Sequence, residues 1–462
     1  MPPAHARETL HPTLTPFAAV AIMVGLVLGI GIFRTPSIVA ANVVSEAAFI
    51  GVWVAGGLAT LVGALCYAEL AAAYPHAGGE YHFLSRAYGR PVAMMFGWAR
   101  CSVIQTGSIA AVAFVFGDYL ARLLPFGEQA SAIYAALAVV VFTAVNIAGT
   151  RQGKNVQVVV TLLVVAAIGA VIVGGLLAPS STGLPPVAPA AIPADAAIGM
   201  AMIFVLLTYG GWNEAAYLAG EMHAPQRNVV RVLAVGTLVL ATLYVLVNLA
   251  FLNVLGLEGG RASDAVAAET MRRIGGPAGE WLVTFAILVA AVSTVNATIF
   301  TGARVFYVMA RDMRGLRWVG TWDERGATPV NGYIAQGVVA LALIAMGAVS
   351  RDGFKAMVDY TAPVFWAFLL LVGIALFVLR RRDPRRQRPY RVPLYPLTPF
   401  LFCLTCAYML WSSIRYTGNA GLLGLGVLLL GTPLLLLQRK GDTTDAAGSG
   451  GIGQLPPSGE EP

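Results

Sequence analysis

Two clusters of glycine interrupt long apolar stretches of the sequence. The first cluster is Gly25, Gly29 and Gly31, and the second is Gly210 and Gly211. Glycine in a helix interior costs about 1 kcal/mol relative to alanine, and it lets the backbone leave the helical conformation. A helix interrupted in this way exposes peptide N–H and C=O groups. Both clusters are therefore candidate binding sites in which the backbone itself supplies the ligands.

The exposed ends of two interrupted helices have a definite chemistry. The N-terminus of a helical segment offers free N–H groups and a partial positive charge, whereas the C-terminus offers free carbonyls and a partial negative charge. Together they can bind a carboxylate and an ammonium group without any charged side chain. An α-amino acid carries this pair of groups, and it is therefore the expected ligand.

Other reactive residues are not arranged for catalysis or metal binding. The five histidines lie in predicted loops and in the N-terminal segment, without metal-ligand spacing, and no nucleophile–base constellation is visible. Cys403 and Cys406 form a C-x-x-C pair, but they lie in an apolar run without a second pair, which is typical of a membrane helix. We expect no catalytic residue, no metal site and no cofactor.

The composition indicates where the interrupted helices lie. Of the 462 residues, 58% are hydrophobic and 11% are charged, whereas soluble domains carry about 25% charged residues. Lipid can cover an apolar surface that water would not tolerate. The net charge of +7 does not indicate nucleic-acid binding, because the basic residues lie in short loops between apolar runs. The sequence therefore predicts an all-α protein of the lipid bilayer.

The apolar runs predict twelve transmembrane helices, since they are long and lack the period-two alternation of a β-barrel. With the N-terminus inside, alternate loops hold three times as many Lys and Arg residues inside as outside, which predicts that both termini are cytoplasmic. Seven arginines fall between 380 and 391, as a topology anchor or as a contact with anionic lipid. The predicted spans are 16–41, 47–73, 91–117, 131–149, 156–178, 197–221, 229–256, 279–309, 332–349, 354–380, 396–415 and 418–437.

Charged residues inside these spans are candidates for ion or proton coupling, because a charge in the membrane is costly. Arg100 lies deep in the third span and needs a partner, which Glu214 after the second glycine cluster could supply. Glu69 lies near the inner end of the second span, where pairing with an inner basic loop is favoured. Glu69, Glu214 and Asp359 all remain open as proton relays.

Several short stretches resemble the amino acid–polyamine–organocation (APC) superfamily, close to the L-type amino acid transporters and related bacterial permeases. The resemblance covers residues 16 to 437, and the glycine-containing stretches are its most specific part. The stretches are Gly29-Ile30-Gly31-Ile32-Phe33, Cys66-Tyr67-Ala68-Glu69-Leu70, Gly78-Gly79-Glu80-Tyr81, Tyr209-Gly210-Gly211-Trp212-Asn213, PQRN at 225–228 and RVFYVMARD at 304–312.

The resemblance implies the leucine-transporter-type fold, in which two five-helix repeats are inverted relative to each other and the first helix of each is broken. Two peripheral helices would follow them. The predicted organisation is a cytoplasmic N-terminal tail at 1–15, repeats at 16–178 and 197–380, peripheral helices 11 and 12 at 396–437, and a disordered cytoplasmic tail at 441–462.

The resemblance also implies a substrate site at the two breaks. The carboxylate would lie against the N–H groups around Gly29, Ile30 and Gly31. The amine would lie near three backbone carbonyls. The side chain of Asn213 would contribute to the pocket. The three carbonyls are those of Val27, Leu207 and Gly210.

The chain departs from the family pattern at three positions. Ile30 stands where the family often has Ser or Thr, Leu207 stands where many members have an aromatic gate, and Val164 stands where many relatives have a lysine. Ser293 and Thr294 are spaced like the hydroxyl ligands of a sodium site, although such pairs usually bond to their own backbone. Coupling to H⁺, coupling to Na⁺ and exchange of substrates therefore stay open.

The function that the resemblance implies is that of an amino acid permease of the cell (inner or plasma) membrane, working by alternating access. A polyamine or organic-cation carrier of the same superfamily is the alternative, although it would need acidic residues in the pocket. A channel and a non-transporting amino acid sensor are weaker alternatives. The sequence does not specify the oligomeric state.

Overall fold

The regular elements in the computed structural model are helices throughout the part of the chain that it describes. This agrees with the expected all-α class, and it follows from long runs of Leu, Ala and Val whose backbone groups must be paired within each segment in lipid. The described residues are 20, 23–25, 27–29, 31–76, 78–148, 154–179, 194–213, 225–263, 265–312, 318–321, 329–350 and 352–436.

The helices are numbered here in chain order. A short π-helical segment, Arg100–Gln105, separates α4 from α5. The bounds are α1 Gly31–Ala41, α2 Glu46–Ala73, α3 Gly79–Tyr88, α4 Arg90–Ala99, α5 Thr106–Leu123, α6 Ala130–Ile147, α7 Lys154–Leu177, α8 Ala194–Thr208, α9 Pro225–Ala262, α10 Val266–Asp312, α11 Val330–Ala348, α12 Gly353–Arg382, α13 Leu397–Tyr416, α14 Gly418–Leu429 and α15 Thr432–Leu436.

Eight segments within the described residues are long and apolar enough to cross a membrane. They are Glu46–Ala73, Arg90–Leu123, Ala130–Ile147, Asn228–Ala262, Val266–Ala303, Val330–Ala348, Gly353–Arg382 and Leu397–Tyr416. Three shorter apolar helical segments lie within other predicted spans, at Leu162–Leu177, Ile198–Thr208 and Gly418–Leu429. The protein is therefore an integral membrane protein, while the count of twelve spans stays a prediction.

Two of the longest helices contain a sharp kink at a glycine. Gly256 in α9 has φ 66° and ψ 174°, and Gly276 in α10 has φ 61° and ψ −158°. Only glycine adopts these angles without strain, because a Cβ atom would clash with the backbone. The kinks lie close to the predicted span limits at 256 and 279, so each helix bends near the point where the apolar run stops.

The helix α3 was not predicted, because it lies between the predicted spans 47–73 and 91–117. It is only ten residues long, and it is separated from α4 by Gly89, whose φ of 94° ends one helix before the next begins. A short helix with a mean hydropathy near zero gives no transmembrane signal. It nevertheless positions Glu80, a buried carboxylate that faces the interior of the protein.

The C-terminal end of α2 is anchored by Glu69, which is 2% exposed. Arg380 of α12 donates to both of its carboxylate oxygens, at 2.7 and 2.6 Å, and the Val392 N–H donates to Oε2 at 2.7 Å. The Arg380 guanidinium also lies 3.8 Å from the centre of the Tyr395 ring. Glu69 is thus paired with Arg380 near the end of α12, within the arginine-rich run 380–391, while the side of the membrane on which this contact lies stays a prediction.

The substitution Glu69→Gln is expected to lower the stability of the protein strongly, because it leaves the Arg380 guanidinium only partly compensated in a buried site. Removing one partner of a buried ion pair typically costs about 3–5 kcal/mol. The matched control is Arg272→Gln, which removes an exposed partner of Glu269 and should cost about 0–1 kcal/mol. Thermal unfolding of both purified variants in the same detergent measures the difference, and equal unfolding temperatures would contradict the anchoring role.

Candidate substrate-binding site

The first glycine cluster interrupts its helix. Residues 23–25 and 27 are helical, Leu28 and Gly29 are not, and α1 begins at Gly31. At this interruption the Gly29 N–H donates a hydrogen bond to the Val27 carbonyl at 2.6 Å. Ile30 lies outside the described residues. The first N–H groups of a helix have no partner within the helix, so α1 presents free donors at this break.

The second glycine cluster follows the end of α8. The helix stops at Thr208, and residues 209–213 form turns in which the Gly210 N–H donates to the Leu207 carbonyl at 3.0 Å. Gly211 has φ 99°, and a Cβ on Gly210 would lie 2.8 Å from the Leu207 oxygen. Both positions therefore require glycine. Glu214 lies outside the described residues.

The two breaks lie side by side. The hydroxyl oxygens of Thr35 on α1 and Thr208 on α8 are 2.8 Å apart, and a Cβ on Gly31 would lie 3.6 Å from the Thr208 side chain. The N-terminus of one helix and the C-terminus of the other thus meet at one place. This is the geometry expected for binding a carboxylate and an amine together.

Tyr244 of α9 connects the two breaks. Its side chain is fully buried, and its hydroxyl lies 2.8 Å from the Val27 carbonyl oxygen and 3.2 Å from the Thr208 carbonyl oxygen. The Tyr244 ring packs edge-on against Tyr209 and Trp53. The single hydroxyl proton is donated to one of these carbonyls or shared between them, so Tyr244 links the two breaks.

This contact changes the expected role of Val27. A carbonyl oxygen has two lone pairs, and the Val27 oxygen already accepts hydrogen bonds from the Gly29 N–H and the Tyr244 hydroxyl. In this conformation the amine of a substrate would have to displace one of them. The carbonyls of Leu207 and Gly210 remain the better candidates of the three.

A cavity of about 570 Å³ opens at the two breaks. Large apolar side chains and threonine hydroxyls make up most of its wall. Six of the seven residues predicted to bind substrate line it, namely Val27, Gly29, Gly31, Leu207, Gly210 and Asn213. The wall is completed by residues of α1, α3, α4, the π segment, α5, α8, α10 and α12.

The π segment positions the polar part of this wall. Five-residue spacing of its hydrogen bonds leaves backbone carbonyls to be satisfied by side chains, and the Ser102 carbonyl accepts from Thr106 Oγ1 at 2.9 Å and from the Tyr360 hydroxyl at 3.0 Å. Arg100 at its start and Gln105 at its end both line the cavity. Gln105 Nε2 donates to the Thr298 carbonyl at 3.0 Å.

The charged group opposite Arg100 is Glu80 of α3. Arg100 Nη1 lies 3.4 Å from Glu80 Oε2, and both side chains line the cavity. Glu80 Oε1 also accepts from the Tyr67 hydroxyl at 2.7 Å and from Asn213 Nδ2 at 3.0 Å. Glu214, the predicted partner of Arg100, lies outside the described residues, so that pairing stays a prediction. Asn213, predicted as a pocket residue, reaches the cavity and also holds this carboxylate.

The candidate coupling residues lie in different places. Ser293 and Thr294 border a small void of about 20 Å³ together with Val164, and the Thr294 hydroxyl donates to the Ala290 carbonyl at 2.9 Å. Thr294 also reaches the main cavity. Glu69 does not line either space, because it is held by Arg380.

A second charged cluster is centred on Arg34 of α1. Arg34 Nη2 binds Asp352 Oδ2 at 2.6 Å, and Arg34 Nε lies 3.7 Å from Asp118 Oδ2. Residues 354 to 369 of α12 line the cavity from this cluster to the Phe96–Phe368 contact beside Arg100. That stretch of helix rises about 22 Å. The Arg34 cluster and the Glu80–Arg100 pair therefore lie at opposite ends of the cavity.

Comparison with known proteins gives a family for this arrangement. A profile described as amino acid permease matches residues 14–424. The chain belongs to the amino acid permease family. Members of this family are membrane transporters and not enzymes, in agreement with the expectation from the sequence.

The permease is similar to named amino acid transporters over most of its length. It is 29% identical to the human b(0,+)-type amino acid transporter 1, with 88% of this chain and 83% of the relative aligned. It is 28% identical to the serine/threonine exchanger SteT of Bacillus subtilis, with 91% and 95% aligned. It is 25% identical to the human cystine/glutamate transporter, with 94% and 87% aligned.

Two residues of the permease site, Tyr244 and Glu80, were not predicted from the sequence as site residues. Tyr244 stands in an apolar run without any distinguishing neighbour, and only its contacts reveal it. Glu80 had a usable signal, because it belongs to the Gly78-Gly79-Glu80-Tyr81 stretch that carries the family resemblance. What the sequence could not show was that α3 turns this carboxylate toward Arg100.

The substitution Tyr244→Phe is expected to weaken substrate binding by the permease while preserving its fold. The ring stays, but the hydroxyl that fixes the two breaks relative to each other through the Val27 and Thr208 carbonyls is lost, so KM should rise roughly 5- to 150-fold, the equivalent of about 1–3 kcal/mol. Tyr88→Phe is the matched control, since it removes a hydroxyl bonded to the Leu371 carbonyl outside the cavity. KM values from uptake assays would be compared, and an unchanged KM for Tyr244→Phe would contradict the positioning role.

The substitution Gly31→Val is expected to abolish uptake while membrane insertion remains normal. The space beside Gly31 admits one methyl group at 3.6 Å from Thr208, but the two γ-methyl groups of valine would project toward Thr208 and into the cavity. Gly31→Ala is the control and should retain measurable uptake. Transport by purified variants, quantified against inserted protein, provides the test. Full activity of Gly31→Val would count against a substrate site at this break.

Proposed function

We propose that this permease moves α-amino acids across the membrane by alternating access and holds them at the two helix breaks. The observation that carries the proposal is the meeting of the α1 N-terminus at Gly31 with the α8 C-terminus at Thr208 on one cavity. The free N–H groups suit a carboxylate, and the Leu207 and Gly210 carbonyls suit an amine. Relatives named as amino acid transporters and exchangers support the same substrate class.

The proposed topology is the one inferred from the sequence. It has twelve spans in two inverted five-helix repeats, at 16–178 and 197–380, followed by two peripheral helices at 396–437. Both termini would lie in the cytoplasm, at 1–15 and 441–462, and the membrane would be the inner or plasma membrane of the cell. The interruption of the helix at Leu28–Gly29 and the end of α8 at Thr208 support it, because they fall in the first span of each repeat.

Alternating access would proceed by breaking one charged cluster while the other holds. The Arg34 cluster joins α1, α5 and the start of α12, and the Glu80–Arg100 pair joins α3 to the π segment. Each cluster spans elements that must separate if the cavity is to open at that end. The ion pairs can be re-formed after each opening, so the two ends can alternate.

Exchange of one amino acid for another is the favoured mode of coupling. Val164 takes the place where many relatives have a lysine, and the void beside it is lined by aliphatic side chains in addition to Ser293 and Thr294. The named relatives include an exchanger. H⁺ and Na⁺ remain experimental alternatives, and Glu214 or Glu69 would then be examined as proton acceptors.

A thermal-shift screen followed by counterflow would test the proposal. Neutral amino acids are expected to raise the unfolding temperature of the purified protein, because a ligand that binds only the folded state at 100 times its Kd stabilises by about 2.7 kcal/mol. In proteoliposomes, uptake of the same amino acids should saturate and should require amino acid inside, with or without Na⁺ and at several pH values.

Each other outcome identifies a different function. Stabilisation by polyamines alone would indicate an organic-cation carrier. Flux that does not saturate would indicate a channel. Binding of amino acids without any flux would indicate a sensor, and absence of both binding and flux for every amino acid would overturn the proposal.

A further inference from the structure

The arginine-rich run 380–391 lies in a short connection between two helices that are long enough to cross a membrane. The run starts in the last turn of α12, and the next helix, α13, begins at Leu397. The run holds seven arginines and a single carboxylate, that of Asp383. Four prolines restrict the backbone of the connection. They are Pro384, Pro389, Pro393 and Pro396. A connection this short between two spans lies at the level of the lipid headgroups, on whichever side of the membrane it is.

Four of the seven arginines bind other parts of the protein. Arg380 and Arg388 approach the carboxylate oxygens of Glu69 on α2, at 2.6 and 3.7 Å. Arg382 donates to a backbone carbonyl of α3, and Arg386 donates to a backbone carbonyl of α2, each at 3.0 Å. These contacts hold the connection against α2 and α3.

The other three arginines, Arg381, Arg385 and Arg391, take no part in this packing. All three are exposed, and their guanidinium groups make no hydrogen bond or ion pair with any residue that the structure describes. Their like charges repel one another, and salt screens charges this close together only in part. The three positive charges are therefore free to attract an anion from outside the protein.

An apolar surface adjoins these charges on the side of the bilayer interior. Arg381 follows Ile374 by seven residues and Phe377 by four, so the three side chains share one face of α12. The Phe377 ring packs against Tyr395, which is 40% exposed, with 5.7 Å between the ring centres. Exposed apolar side chains continue this surface along α13 at helical spacing. They are Leu397, Phe400, Leu401 and Leu404.

We propose that the exposed arginines and the adjoining apolar face of α12 and α13 bind an anionic phospholipid. The phosphate would accept hydrogen bonds from Arg381, Arg385 and Arg391, because planar guanidinium groups match phosphate oxygens. The acyl chains would lie along the apolar face, with Tyr395 at the boundary, where aromatic side chains are enriched in membrane proteins. Positive charge, aromatic ring and apolar surface thus follow one another in the order of the head group and chains of the lipid. A soluble anion would leave the apolar face unused.

A thermal-shift titration of the full-length protein, purified in a neutral detergent, would test the proposal. Dioleoyl phosphatidylglycerol is expected to raise the unfolding temperature much more than dioleoyl phosphatidylcholine, and NaCl should diminish the difference. The variant Arg381→Gln/Arg385→Gln/Arg391→Gln should bind phosphatidylglycerol about fivefold more weakly for each arginine removed, and roughly 100-fold more weakly in all. Its fold should persist, because the three side chains contact no described residue through their charged groups.

The matched control is the variant Arg122→Gln/Arg272→Gln/Arg415→Gln. It has the same net charge as the first variant, but the changed residues lie on α5, on α10 and at the end of α13 far from the connection. It should keep the affinity of the wild type for phosphatidylglycerol. An equal loss in the control would show that the overall charge attracts the lipid, and the proposed surface would then be wrong.

A charge-preserving variant separates the effect of charge from structural damage. Arg381→Lys/Arg385→Lys/Arg391→Lys should keep most of the affinity, and a loss as complete as in the glutamine variant would contradict the proposal. Native mass spectrometry, which counts the phosphatidylglycerol molecules retained by each folded variant, gives the same comparison if the unfolding temperatures of the variants differ.

The remaining outcomes also overturn the inference, and none of them depends on the proposed transport. Equal effects of phosphatidylglycerol and phosphatidylcholine on the wild type would exclude a site for anionic lipid. Unchanged affinity in the glutamine variant would exclude these arginines. Equal stabilisation by inorganic phosphate or glycerol phosphate would identify a soluble anion, and not a lipid, as the ligand.

Discussion

The constraint on which the structure depends is that peptide groups in a membrane must find partners inside the protein. One helix is interrupted at Leu28–Gly29 and another ends at Thr208 before Gly210 and Gly211, and the freed groups would be costly if they faced lipid. They instead meet one another across a cavity, and Tyr244 reaches the carbonyls of Val27 and Thr208 with a single hydroxyl. The first N–H groups of a helix have no partner within it, so those at the start of α1 suit a ligand.

The same constraint explains the composition of the wall around the breaks. The π segment frees the Ser102 carbonyl, and Thr106 and Tyr360 donate to it from neighbouring positions. The threonines of α10 donate back to their own helix, as Thr298 does to Thr294. Hydroxyl donors with internal partners keep the cavity polar without adding charge, so the net charge of the wall depends on Glu80 and Arg100 alone among its described residues.

Prediction from the sequence succeeded where the signal is local. Glycine clusters indicate the helix breaks, because glycine destabilises a helix through the conformational freedom of its own backbone. Gly211 has the positive φ that favours glycine. The lengths of apolar runs likewise depend on neighbouring residues, and eight predicted spans coincide with helical segments long enough to cross a membrane. Glu80, Tyr244 and the Arg380 anchor of Glu69 depend on contacts across 20 to 311 residues of chain. The hydrophobic periodicity of the sequence does not indicate contacts between residues so far apart in the chain. These contacts follow from the packing of α3, α9 and α12.

The Glu80–Arg100 ion pair at the cavity also bears on how the elements that form the wall can move apart. If Glu80 and Arg100 were replaced by packed apolar residues, the wall could be more stable, since desolvating an ion pair is often not repaid by its attraction. The pair instead costs little to separate when water enters and is re-formed when water leaves. It links α3 to the π segment. Separation of α3 from the π segment would expose both groups to water, whose hydration would offset the attraction that is lost.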